Sequence, residues 1–393
     1  MDILVAVFWT AVGVVGLTYV VMPALVLGRG LVVHREVSAG ARQPTVSVIV
    51  AAYNEVGVIA SKIRNLLALD YPVERRELIV VSDGSVDGTE HAVAAFADAG
   101  VRAIALPRVG KAMALNTGVA ASTGDVLVFT DANSMLVPNA LRALMAPLAD
   151  PRVGAVAGDQ RYGDTAGAAG ITESERRYWN LDRALKRAES RAGSAVSATG
   201  ALYAIRRELF EIIPDGVTDD FFSSTAAICA GRRLVFAEDA AAYEPVAVSG
   251  GREFGRKVRI MTRGLRAVHL RRELLNPRRH GFYAVQLLWH KVLRRLVALP
   301  LLVVAVVAPL LWSQGKLYQL ATVAQGAFYA LAVLGLRSPG ARGKISALLH
   351  LPTYFCLVNL AALLAAWNVV RGRRIDRWET SGSQPAAEPP LPP

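Results

Sequence analysis

The stretch Val126-Leu-Val-Phe-Thr-Asp131-Ala-Asn133 constrains the chain more than any other. Four apolar β-forming residues run directly towards a carboxylate and an amide. A continuous apolar run of this kind marks a strand covered on both faces, as in a parallel sheet. In open α/β sheets, ligands collect outside the carboxyl ends of the strands, and Asp131 stands at such an end. A carboxylate with a second oxygen donor two residues on suits a hard divalent cation that also grips a diphosphate. The same two residues would equally serve as caps for a following helix, and the stretch alone leaves both uses open.

Its surroundings repeat the pattern. Thr45–Ala52, Leu78–Val81, Val101–Leu106, Val126–Thr130 and Val153–Ala157 read as short strands. Val58–Leu69, Asp87–Ala99, Lys111–Ala121 and Pro138–Leu148 read as helices between them. This alternation predicts a doubly wound α/β domain with a mostly parallel sheet. No Gly-x-Gly-x-x-Gly follows the first strand and no P-loop Gly-Lys-Ser/Thr is present, so neither of those nucleotide folds is indicated.

The two ends of the chain are of another kind. Apolar residues make up 53% of the 393, and the excess is concentrated there. Ile3–Leu27 is long and apolar enough to span a bilayer. It lacks a basic leading segment and a small-residue cleavage site, and so reads as an anchor. Leu299–Trp312, Leu317–Leu336 and Ile345–Val370 are further span candidates. Arg29, Arg35 and Arg42 follow the first span, which puts the middle of the chain on the cytoplasmic side of the cell membrane. The formal charge of +12 is better explained by such membrane flanks than by nucleic-acid binding. Cys229 and Cys356 fall in different regions, so no disulfide framework is expected.

The expected organisation is an anchor over 1–30, an α/β domain over 44–250, basic amphipathic helices at the membrane surface over 251–298, spans over 299–370 and a disordered tail over 371–393. A transporter is disfavoured, because the spans carry almost no ionisable residues.

Polar and acidic groups follow four successive strands. The first ends in Tyr53-Asn54-Glu55, the second in Asp83-Gly84-Ser-Val-Asp87-Gly-Thr89. Gly110-Lys111-Ala-x-Ala-Leu-Asn116 comes after the third, and Asp131-Ala-Asn133 after the fourth. One such loop is an ordinary turn; four would supply one crevice.

This ordered set resembles the family-2 glycosyltransferases of the GT-A fold, over Thr45 to about Arg266. It is most similar to the membrane branch that includes cellulose, chitin and hyaluronan synthases and related exopolysaccharide or glycolipid enzymes. The resemblance implies an α/β GT-A domain flanked by transmembrane helices, a nucleotide-sugar donor with UDP expected, and a saccharide or lipid acceptor. It gives Tyr53, Glu55 and Asp83 to the nucleotide and Lys111 to the donor. Asp131 and Asn133 would hold Mg²⁺ or Mn²⁺ on the diphosphate, the amide giving less charge than the usual second carboxylate. Ser197-Ala-Thr199-Gly200 resembles the acceptor-side segment. Thr218-Asp219-Asp220 matches the family's Thr-Glu-Asp, which makes Asp220 the general base and leaves Asp219 as a positioning group or a cap. Arg259 matches the one arginine of the Gln-x-x-Arg-Trp motif and would steady the leaving diphosphate. Arg256 and Ile260 depart from that motif, and no gating-loop pattern is evident near 246–251. These departures point to one or a few transfers, with Tyr178, Trp179 and Tyr203 as possible sugar-stacking rings.

Overall fold

The computed structural model describes residues 2–163, 173–245, 250–338, 343–373 and 375, with side chains throughout except at 173–179, 250–253 and 343–347. The gating-loop stretch 246–249, the Tyr178 and Trp179 rings and the tail from 376 lie outside this description. The chain divides into two units: 27–248 with 270–284, and 1–26 with 249–269 and 285–374.

Helix α1 runs Asp2–Val32. Eight strands follow in the first of these units: β1 (Val46–Ala52), β2 (Arg76–Asp83), β3 (Val101–Leu106), β4 (Val126–Phe129), β5 (Met135–Leu136), β6 (Val153–Tyr162), β7 (Tyr203–Arg206) and β8 (Arg233–Glu244). They form one sheet in the order β3-β2-β1-β4-β7-β6-β8-β5. Pairing is parallel across β3-β2-β1-β4 and between β6 and β8. It is antiparallel where β7 meets β4 and β6, and where β5 meets β8. The sheet is therefore parallel-dominant and mixed, with three strands beyond the five the apolar runs predict.

Between the strands lie α2 (Val56–Leu67), α3 (Thr89–Ala94), α4 (Lys111–Ala120), α5 (Ala140–Met145), α6 (Glu173–Ala192) and α7 (Asp219–Cys229). Every residue of β1 and of β4 is buried, as two-sided cover requires. Helix α2 turns Val58, Ile59, Lys62, Ile63 and Leu66 inwards, four apolar residues and one lysine on a single face. Each such aliphatic side chain stabilises the fold by roughly 1.5–3 kcal/mol through burial. Helix α4 sits close to the sheet: a Cβ at Gly118 would lie 2.6 Å from Ile49 Cγ2. The single helix expected over Asp87–Ala99 is shorter. It ends at Ala94, and a 3₁₀ turn over Ala97–Ala99 stops at Gly100, whose φ is 79°. Asp87 is left free of the helix to bind loops.

The other unit is helical. It holds α8 (Gly250–Leu270), α9 (Phe282–Leu296), α10 (Ala298–Leu310), α11 (Lys316–Arg337) and α12 (Gly343–Val370), apart from the ends of α8 and α9. Asp2–Val32, Lys316–Arg337 and Leu348–Val370 are long and apolar enough to cross a membrane. The pair α9 and α10, bent by 46°, makes a fourth if it is one span. Phe8 packs against Val307, Ala308 and Leu311, and Trp289 Nε1 donates to Thr18 O at 2.8 Å. Asp2 and Glu253 are the only acidic residues of this unit, so the chain's basic excess resides there. Residues 270–284, within the basic stretch 251–298, belong to the sheet unit. Tyr283 Oη donates there to Val196 O at 2.9 Å, and Arg271 pairs with Glu211 at 2.9 Å.

Candidate active site

The order β3-β2-β1-β4 makes a switch point between β1 and β4, where successive connections leave in opposite directions. The loops after β1, β2 and β4 meet outside these carboxyl ends.

The loop after β1 is fastened to the loop after β2. Asn54 adopts a left-handed φ of 51°, which asparagine tolerates. Its Oδ1 accepts Val86 N–H at 2.9 Å, and its own N–H donates to Ser85 Oγ at 3.1 Å. Glu55 N–H donates to Thr89 Oγ1 at 2.8 Å, and Val56 N–H to Asp87 Oδ2 at 3.0 Å. Burial works to raise the Asp87 pKa, but these bonds and those from Thr89 outweigh it and hold it below the ordinary value.

Asp83 ends β2 with no exposed surface. Its Oδ1 accepts N–H from Val109 at 2.7 Å and from Gly110 at 2.8 Å, and its Oδ2 takes the Arg108 guanidinium. That guanidinium stacks 3.2 Å over the Tyr53 ring centroid. Arg108 is thus layered between Tyr53 and Asp83, two of the three residues that the resemblance gives to the nucleotide. The neighbouring Gly84 has φ +68°, and a Cβ there would come within 2.7 Å of Arg108 N. Only glycine makes that turn without strain. Arg108 went unnoticed in the sequence, because its partners come from two other loops and no local spacing marks it.

Lys111 opens α4 beside these groups. Its Nζ lies 2.8 Å from Asp131 Oδ1 and 3.0 Å from Asp219 Oδ2. Burial disfavours the ammonium, but the two carboxylates outweigh that effect and raise its pKa above the usual lysine value. Asp219 and Asp220 form the first turn of α7, where the positive helix end favours acids. Asp220, half-buried, accepts Phe221 N–H at 2.7 Å. Asp219 is buried and is the member of the pair that meets Lys111.

Because β7 runs antiparallel to β4, with Phe129 opposite Tyr203, the Ser197–Gly200 segment arrives beside Asp131. A Cβ at Gly200 would lie 2.8 Å from Asp131 Oδ2. Thr199 Oγ1 is buried there without a protein partner. Tyr203 itself is fully buried and stacked on Phe129 at 4.9 Å. Burial, and then the Asp219 charge, push its phenol well above its ordinary pKa. Tyr203 is therefore a core ring with no face for a sugar. Arg259 lies half-buried on α8, in the helical unit.

The residues fit a divalent cation. Asp131 and Asp219 converge on one ammonium, which is a position for positive charge. Asn133, half-buried on the same loop as Asp131, adds a carbonyl oxygen. Mg²⁺ or Mn²⁺ is commonly held by one or two carboxylates, with substrate phosphates and water completing the shell. Among the described residues no group of three or more His, Cys, Asp or Glu gathers, so diphosphate oxygens would have to complete it here.

The fold is that of a GT-A-like domain. Residues 47–213 match the family model described as glycosyl transferase family 2. Over those residues, which make up less than half of the chain, the sequence is similar to that family. It is 26% identical over 210 residues to a protein from Staphylococcus aureus named poly-beta-1,6-N-acetyl-D-glucosamine synthase. That match covers 52% of this chain and 48% of the relative, so the chain spans about half the length of the curated relative. It is 38% identical over 125 residues to a Bacillus subtilis protein named "Probable glycosyltransferase YdaM", covering 30% of each. A solved mannosyltransferase, PcManGT from Pyrobaculum calidifontis in complex with GDP-Man and Mn²⁺, shares the fold. It has a TM-score of 0.71 at 24% identity, covering 94% of this chain and all of that one.

Proposed function

We propose that this protein is an inverting glycosyltransferase of the cell membrane. It transfers a sugar from a nucleotide donor, UDP-linked by the family resemblance, to a saccharide or lipid-linked acceptor on the cytoplasmic face. The observation that carries this reading is the convergence of Asp131 and Asp219 on Lys111 at the carboxyl end of β4. The Staphylococcus relative is named for a polymer of N-acetyl-D-glucosamine, and the solved neighbour holds GDP-Man and Mn²⁺. The first supports a saccharide product, and the second a nucleotide sugar and a divalent metal.

In this reading Tyr53, Glu55 and Asp83 receive the nucleotide once Arg108 swings off Asp83 and the Tyr53 ring, and Lys111 turns from the carboxylates to the diphosphate. Asp131 and Asn133 would hold Mg²⁺ or Mn²⁺, which when bound offsets charge on the leaving diphosphate. Asp220 takes the proton of the acceptor hydroxyl as that oxygen attacks the anomeric carbon opposite the nucleotide. Asp219 positions Asp220, and by the family resemblance alone Arg259 would be given a charge-assisted bond to the leaving group.

A lipid acceptor with one or a few transfers is favoured by two observations. Ile260, standing where processive relatives carry the motif's tryptophan, is 43% exposed and offers no flat ring. The helical unit also carries an open apolar groove of about 500 Å³, lined by Phe8, Trp9, Leu301 and Phe328 among others. A degenerate nucleotide-binding protein is the alternative. Membranes carrying the protein, incubated with a panel of radiolabelled nucleotide sugars and analysed for product, test the reading. Label in a lipid or saccharide fraction supports it. Nucleotide binding without release of nucleoside diphosphate from any donor refutes it.

A further inference from the structure

Lys62 has no exposed surface, yet it lies on the inward face of α2 among Val58, Ile59, Ile63 and Leu66. Burying an ammonium costs several kcal/mol, and an apolar residue of similar size would pack there more cheaply. Its contacts show what the charge does. Nζ donates to Thr130 Oγ1 at 2.8 Å and to the Ser134 carbonyl oxygen. These are the residues immediately before and after Asp131-Ala-Asn133. Ser134 N–H donates to Asp131 O at 3.2 Å, closing a turn between the two contacts. One helical turn along α2, Asn65 holds Leu136 through both its backbone N–H and C=O, each at 2.8 Å. Helix α2 thus grips the loop at three points.

The surroundings are tied as well. Thr130 Oγ1 donates to Ala201 O at 2.6 Å, next to Gly200. Ser134 Oγ donates to Glu244 Oε1 at 2.7 Å, and Gln160 Nε2 donates to the other Glu244 oxygen at 2.7 Å. Asp131 and Glu244 are the carboxylates whose charge favours the ammonium, while burial pushes its pKa down to about 7.

We propose that Lys62 is a positioning residue for the Asp131–Asn133 loop, fixing both ends of the motif so that its two oxygens are preset for a divalent cation. The proposal rests on the reading of that loop as the metal and diphosphate site. A loop with one carboxylate and one amide has little affinity to spare, and groups that hold a metal's ligands in place by hydrogen bonds are typically worth 10–100-fold in affinity. A mere background charge would act in the opposite sense, since removing a buried cation from beside a dication site tightens it.

The test is Mn²⁺ binding to the full chain in detergent with UDP present, read from the spin resonance of free Mn²⁺, alongside thermal stability. The parent is expected to bind and Asp131→Ala not to. Lys62→Met should bind roughly 10–100-fold more weakly, with an unchanged or higher melting temperature. Thr130→Val, which keeps the lysine, should weaken binding in the same direction. The double variant should lose less than the two single losses combined, because both changes break the Lys62–Thr130 contact, although Thr130→Val also removes the bond to Ala201. If Lys62→Met binds as well as the parent or better while Asp131→Ala is silent, the proposal fails and the metal reading stands. Weaker binding accompanied by a lower melting temperature and additive with Thr130→Val marks a structural role and also overturns it. Absence of binding by the parent overturns both. Should Lys62→Met not fold, unchanged binding by Thr130→Val refutes the proposal by itself.

Discussion

Asp131 combines an end-of-strand position, a partner in Lys111 and a close approach to Gly200. Asp131→Ala is expected to abolish transfer, because it removes the proposed metal ligand and would leave the diphosphate charge uncompensated. Turnover near the parent's, in a protein whose parent is still inhibited by EDTA, would exclude that role. The two acids of α7 divide differently. Asp220→Asn should keep donor affinity within a few-fold and lose transfer by roughly 10²–10⁴, the usual worth of a general base. Asp219→Asn should lose less in turnover, since its proposed role is to position Asp220 and it pairs with Lys111. Donor titration and single-turnover rates of both variants check this, and the reverse ranking would give the base role to Asp219. At this scale the sequence told much about the acids and little about the cations. Asp83, Asp131 and Asp220 are visible because each follows an apolar run or a known spacing. Arg108 and Lys62 are not, because their roles arise from loops and helices brought together only in the fold.

Among the elements, the parallel strands announce themselves: β1 and β4 are buried throughout and read as unbroken apolar runs. The strands that escaped are those with mixed surroundings. β7 has only four residues, and β8 carries Glu238 and Asp239 in its middle. The pairing of β6 with β8 jumps from Gly158 opposite Ala237 to Asp159 opposite Ala241, so the charged residues are extruded as a bulge and the alternation is lost. The short β7 nonetheless sets the site, by delivering Gly200 to Asp131. Gly200→Ala should therefore weaken Mn²⁺ binding by about tenfold or more with little effect on melting temperature, as a displaced ligand loses its preset geometry. Helix α2 makes a pH prediction. Lys62 holds its proton less well in the folded chain, with a pKa of about 7 against 10.5 unfolded. Between those values the unfolded chain carries more protons, so this group makes stability rise with pH and withdraws that gain as pH falls towards 7. Lys62→Met should thus stabilise the protein at pH 7 and lose its advantage by pH 10. Melting curves of both proteins across this range decide it; a constant difference would contradict the linkage.

For the whole molecule, the sequence anticipated apolar helices at both ends around an α/β domain, but not that residues 270–284 belong with the sheet. That stretch is basic and reads as surface helix, while its anchoring bonds, from Arg271 and Tyr283, run to residues far away in the chain. If α9 and α10 act as one span, four spans put the carboxyl terminus across the membrane from the catalytic domain. A cysteine placed in the tail of a background lacking Cys229 and Cys356 should then react with an impermeant reagent in intact cells; protection would exclude four spans. The most direct test of the central claim is catalytic. Purified full-length protein in a membrane mimetic, given Mn²⁺ and each labelled nucleotide sugar in turn, should release nucleoside diphosphate with at least one donor and pass its label to an added lipid or saccharide acceptor. Both signals should vanish with EDTA and in Asp131→Ala. A donor turned over equally well by Asp131→Ala, or by no form of the protein at all, would contradict the account.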